Sequence, residues 1–278
     1  MQYTKPHLSF ADQAALLISR GMGATKQELM DALEQAGYYR LSAYWFPFRV
    51  LHPTTGDRED FFQPGTSFVQ VWNYYRFDRD LRLLLLDAIE RIEVALRSQL
   101  AYLHTQGRDP FLYAQASYFS TWKNYITKLE PMKNPALTGK KAGADFVDHF
   151  FKKYGDYHDY LPLWMAVGVT DFGFISFFFQ YSSQSIRSQI ARNWGVTSDV
   201  LRSWFIALNT LRNVCAHHGR VWNKVWRTQP QFPLYAKQPE WYMTYLDKAR
   251  KWVRPPAGSL PASDSVVFHS CSTGTLLY

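Results

Sequence analysis

Along residues 67–105 the apolar side chains recur with helical spacing. At about 100° per residue, Leu81, Leu85, Ala88, Ile92, Leu96, Gln99 and Leu103 share one face, which predicts a long helix with that face in a core. The opposite face groups Arg79, Arg82, Leu86, Glu90, Glu93, Arg97 and His104, with Leu83, Val94 and Ala101 beside them. Such a mixture suits either a partly buried second contact (a dimer seam or a cleft wall) or an exposed salt-bridged face, with Glu93 and Arg97 spaced to pair. Upstream, residues 9–36 predict two short amphipathic helices parted at Gly21-Met22-Gly23. Residues 37–51 are aromatic and basic and are broken by Pro47. His52 to Asp60 is polar and hairpin-like, and Pro64-Gly65-Thr66 is a stop signal before the long helix.

Residues 108–160 read as further helices with loops, Lys133 to Gly143 being a surface loop. Asp171-Phe172-Gly173 opens a helix through Tyr181. Thr197-Ser198-Asp199 caps another over 199–218, whose core stripe is Val200, Trp204, Leu208, Leu211 and Cys215. Gly219 suits the left-handed position after it. One more helix is expected over 240–253, then a loosely docked tail from Pro255 to Tyr278. No segment reads as a multi-strand sheet, so the expected class is all-α.

Charge changes this picture. Residues 1–186 carry equal numbers of cations and anions, 19 of each, whereas residues 187–254 carry 12 Lys+Arg against Asp199, Glu240 and Asp247. The stretch therefore carries +9, and Asp264 of the tail brings the chain to its net +8. A local basic field suits a polyanion, the plainer reading being a solvated face. The many aromatics fill cores or stack on bases, and core packing accounts for most of them. Two cysteines, Cys215 and Cys271, are too few for a disulfide framework or a cysteine zinc site. Leu161 to Phe179 is apolar but contains Pro162, Asp171 and two glycines, so a buried helix is expected there rather than a membrane span. No signal peptide is visible, and a soluble cytoplasmic protein is expected.

Within the basic stretch stands Arg212-Asn213-Val214-Cys215-Ala216-His217, followed by His218. Arg holds a phosphate, Asn fixes a hydroxyl or an oxygen, and His moves a proton near neutral pH. Asn213 and His217 lie four apart on one face, and Arg212 is long enough to reach round. The negative end of the helix favours a cation at His217 and His218. On the wheel His218 falls nearer the core stripe, which makes it the structural histidine and His217 the catalyst. RNA brings its own nucleophile, the 2′-hydroxyl, so His, Arg and Asn suffice for its cleavage and neither cofactor nor metal is required. Arg220, Asn223, Lys224 and Arg227 continue the basic run.

The spacing Arg-Asn-x-x-x-His resembles the signature of HEPN ribonucleases, and Trp204 to Asn223 resembles bacterial abortive-infection (Abi) proteins of the AbiD/AbiF type. The resemblance extends in order through Lys5-Pro6 with Gln13, Tyr38 to Trp45, Tyr75 to Arg82, Ile89 to Glu93 with Arg97, Leu161 to Met165, and Trp222-Asn223. It implies a HEPN-like helical bundle over 67–254 with an N-terminal helical accessory region over 1–66, and it leaves the tail 255–278 unmatched. It also implies a homodimer whose two motifs meet in one composite cleft, and a toxin-like endoribonuclease acting in phage defence. An RNA substrate and a small noncoding RNA are the partners implied. Arg212 and His217 would be the catalytic pair and Asn213 an orienting group. Glu90, Glu93, Arg97, His218, Arg220, Asn223, Arg40 and Arg82 would support the site or bind RNA. The rival readings are a non-catalytic RNA-binding module that stacks bases on Tyr38, Tyr39 and Trp45, and an interaction protein in which Arg212 and His217 satisfy buried partners.

Overall fold

A computed structural model describes Gln2, Thr4 and residues 6–119, 121–139 and 144–233. The expected helix over 240–253, the tail, Cys271 and part of the 133–143 loop lie outside these residues. The chain forms two compact units. The first comprises residues up to Leu83 together with Arg220–Asn223, and the second comprises Leu84–Gly219 and the segment from Lys224. The first unit thus extends past the division expected at residue 66, because Phe68 and Val71 are buried in its core.

In the first unit, α1 (Phe10–Ser19) and α2 (Lys26–Ala36) are the two short helices expected, parted at Gly21 to Gly23. Ser9 caps the first. Thr25 and Glu28 form a reciprocal capping box on the second. Gly37, at φ +78, ends α2 and opens α3 (Tyr38–Trp45), a backbone conformation that a side chain would disfavour. The polar stretch after Pro47 is the turn of a small antiparallel hairpin, β1 (Arg49–Leu51) with β2 (Arg58–Phe62), the sole sheet among the described residues. Leu17, Leu29, Leu33, Leu41, Tyr44 and Trp45 are almost wholly buried with these elements.

The long helix is α4 (Phe68–Thr105). Its buried line is Asp78, Arg82, Ile89, Leu96, Leu100 and His104, rotated by roughly 70° from the face expected. Ala88, placed in the core by the wheel, is exposed, and Leu81, Leu85, Ile92 and Leu103 are half-buried. A wheel counts apolar residues, whereas three of these buried side chains are polar and are accommodated because each finds partners.

The second unit holds the rest of α4, then α5 (Pro135–Thr138), α6 (Asp145–Tyr154), α7 (Leu163–Ala166), α8 (Phe172–Tyr181), α9 (Gln184–Asn193) and α10 (Ser198–Ala216). The apolar stretch 161–179 is thus two helices joined by a turn, not one. Asp171 caps α8, accepting from the Phe174 N–H at 2.7 Å. α10 packs on α8 and α9. Phe205 of α10 meets Phe179 edge to face at 5.1 Å, and Trp194 at 5.7 Å. No helix among the described residues is long and apolar enough to cross a membrane.

His104 links three parts of this core. Ser182 donates to the Phe178 carbonyl at 2.7 Å, so its oxygen accepts from His104 Nε2 at 2.8 Å. Nδ1 then accepts from the Tyr118 hydroxyl at 2.6 Å. Burial, with the nearby Arg108 charge, lowers the His104 pKa to about 4. The unfolded chain takes up this proton near pH 6.5, and the folded chain only near 4. The His104 contribution is therefore complete above pH 6.5 and is lost as pH falls towards 4, about 3 kcal/mol in all. Urea unfolding at pH 7 and pH 4.5 checks this: His104→Gln should remove most of the difference, and an unchanged difference would refute the assignment.

Candidate functional site

Helix α10 carries the Arg-Asn-x-x-x-His segment. Thr197 caps its start, and Val200, Leu201, Phe205 and Cys215 are buried, with Trp204, Leu208 and Leu211 packed against the same core. Its end differs from expectation. The helix stops at Ala216 and His217 is the C-cap, its N–H bonded to the Asn213 carbonyl at 3.0 Å. His218, not Gly219, takes the left-handed position, at φ +56. Its N–H donates to the Cys215 carbonyl at 3.0 Å, and the Gly219 N–H donates to the Val214 carbonyl at 2.7 Å, which together close a Schellman turn. Gly219 follows the left-handed residue instead of occupying that position, and a Cβ there would lie 3.0 Å from Val214 Cγ1 and 3.2 Å from its carbonyl oxygen, a tight fit. The turn carries His218 away from the core stripe, and it is exposed rather than buried.

Arg212 and the outer part of α4 line a cleft of about 630 Å³ in the second unit, with Glu90, Glu93, Arg97, Asp87, Leu86, Ile89, Val94 and Gly168. Arg212 Nη1 reaches round to Asn213 Oδ1 at 3.5 Å. Glu93 and Arg97 pair as their spacing predicts, and both are half-buried. Arg97 also donates to the carbonyls of Val167 and Thr170, the latter at 2.6 Å, and to Thr170 Oγ1 at 3.4 Å. Its donors are thus engaged in holding the turn between α7 and α8 against α4. It builds the wall of the cleft instead of offering a free cation. Asp87 pairs with Arg91 at 3.0 Å. Glu90 is exposed and has no ion pair among the described residues. Asn213 and His217 are exposed on α10 and do not line this cleft.

Four of the expected site residues belong to the first unit and not to this cleft. Arg82 is only 6% exposed and bonds Asp78 and, at 3.4 Å, the Tyr44 hydroxyl, so it is a core residue and not an RNA contact. Arg220 donates to the Ala43 carbonyl at 2.6 Å, a structural tie. Arg40 is half-buried in α3, and Asn223 is exposed at φ +51.

Asp78 is the residue that pattern reading passed over. It is fully buried and accepts from Tyr44 at 2.5 Å, from Arg82, and from the N–H groups of Val221 at 3.0 Å and Trp222 at 2.6 Å. Burial first, then the Asp78 carboxylate, pushes the Tyr44 pKa up to about 12, so its hydroxyl stays a donor. Trp222 also stacks on Tyr74 at 4.4 Å. The signal was the i,i+4 spacing of Asp78 and Arg82 within Tyr75 to Arg82, which fits a buried pair as well as a surface one.

No curated protein and no solved structure matches the chain. The family model for Abi-like proteins matches residues 31–223, which leaves Lys5-Pro6 and Gln13 outside the match. That span takes in most of both units, including Asp78, the cleft and the Arg212–His217 segment, and the chain belongs to the Abi-like protein family.

Proposed function

We propose that the protein is a metal-independent endoribonuclease of the HEPN type. Membership of the Abi-like family points to abortive infection. The nuclease reading goes further and rests on chemistry. The observation that carries it is Arg212 in an open cleft with Asn213 in contact and exposed His217 one helical turn on. In this reading the RNA 2′-hydroxyl loses its proton and its oxygen attacks the adjacent phosphorus. Arg212 stabilises the charge on the phosphoryl oxygens, Asn213 orients, and the P–O5′ bond breaks as the leaving oxygen takes a proton from His217. The products carry a 2′,3′-cyclic phosphate and a 5′-hydroxyl.

One histidine per chain serves the acid step, and a homodimer with a composite cleft would supply a second as base. Exposed Leu84 and Val94 on α4 support such an apolar seam, being 67% and 57% exposed. The rival RNA-binding module loses one of its stacking aromatics, since Trp45 is fully buried, whereas Tyr39 is exposed. Arg212→Ala and His217→Ala, purified and confirmed folded by circular dichroism, separate the readings. Both lose cleavage in the enzyme, and a binder shows no cleavage to lose.

A further inference from the structure

The basic stretch does not end at the Arg212 cleft. Arg187 of α9 and Arg202 of α10 line a second pocket of about 390 Å³ with Thr121, Gln180, Tyr181 and Asp199, sharing no residue with the first. Arg187 is fixed in place. Its Nη1 donates to the Gln180 carbonyl at 2.5 Å, and its Nη2 donates to Gln184 Oε1 at 2.6 Å. Both acceptors are neutral, so they orient the guanidinium without cancelling its charge. Gln184 is itself held, donating to Ser188 Oγ at 3.0 Å and to buried Ser198 Oγ at 3.2 Å. Arg202 is half-buried and Asp199 is exposed, and neither side chain has a hydrogen bond or ion pair among the described residues, although both line one pocket. Tyr181 stacks on buried Trp122 at 5.1 Å and 12°, which fixes its ring.

We infer that this pocket binds one ribonucleotide unit, either within an RNA strand or as a free nucleotide. The held guanidinium of Arg187, with the uncommitted Arg202 beside it, matches a phosphate. A carboxylate beside them would repel a bare anion, but it accepts hydrogen bonds from ribose hydroxyls, a group that DNA lacks at the 2′ position. The Tyr181 ring offers a face for the base. The volume lies in the range of small-molecule sites. The pocket concerns binding and stands apart from the Arg212 chemistry, so it can fail while the nuclease reading survives, and the reverse.

The test uses full-length protein carrying His217→Ala, to limit cleavage, with a fluorescently labelled RNA decamer and its DNA counterpart in anisotropy titrations. Arg202→Glu should weaken RNA binding tenfold or more and lower the slope of log affinity against log salt by about one. Asp199→Ala should bring the affinities for RNA and DNA together. Competition by UMP or AMP assigns a free-nucleotide site, and its failure while the decamer binds assigns a strand site. The inference is overturned if folded Arg202→Glu protein binds RNA as tightly as its parent, or if the parent binds neither the decamer nor the mononucleotides.

Discussion

His217→Ala is expected to lower RNA cleavage by about 10²–10⁴-fold, the usual worth of a positioned proton donor. The fold should survive. His217 is exposed, and the bond that closes the helix there is made by its backbone N–H to the Asn213 carbonyl at 3.0 Å, which alanine retains. Buried Val200, Leu201, Phe205 and Cys215, which hold α10 in place, are untouched. Arg212→Ala should cost a similar factor, and the double variant little more than either single one, because groups acting on one transition state are not additive. Single-turnover rates on a short RNA measure this. Full rates in a folded His217→Ala protein would remove the histidine from the chemistry.

Asp78→Ala is expected to be the most destabilising single change considered, by about 3–5 kcal/mol, as for a buried ion pair deprived of one partner. Its removal would leave buried Arg82, Tyr44 and two backbone N–H groups without the acceptor they share. Asp78→Leu combined with Arg82→Met should recover only the part of the loss due to an unpaired charge, since Tyr44 and the Val221 and Trp222 N–H groups still lack their acceptor. Urea unfolding reads the free energies, and hydrogen exchange at Val221 and Trp222 reads the amides directly. Near-native stability and unchanged exchange in Asp78→Ala would refute the role assigned to this carboxylate.

Local signals placed most elements. Thr197 and Asp171 cap helices where short oxygens precede apolar runs, and both long helices were visible from periodicity. What failed depends on partners distant in sequence. The face of α4 that is buried is set by Asp78, Arg82 and His104, whose partners include Tyr44, Val221 and Ser182. No wheel shows such pairings. At the end of α10 Gly219 signalled a turn correctly, but the left-handed residue is His218, one position earlier, and Gly219 lies close against Val214 instead. In the candidate site, Arg212 with Glu90, Glu93 and Arg97 was legible and shares one cleft. Arg82 and Arg220 lie outside that cleft and bond Asp78 and the Ala43 carbonyl; charge alone does not distinguish a surface cation from one engaged with protein oxygens.

The central claim is tested most directly by incubating wild-type and His217→Ala protein with total bacterial RNA in EDTA and mapping the cleavage ends. Fragments are expected with wild type alone, ending in 2′,3′-cyclic phosphate and 5′-hydroxyl. Equal cleavage by a folded His217→Ala protein, or ends bearing 3′-hydroxyl and 5′-phosphate, would contradict it.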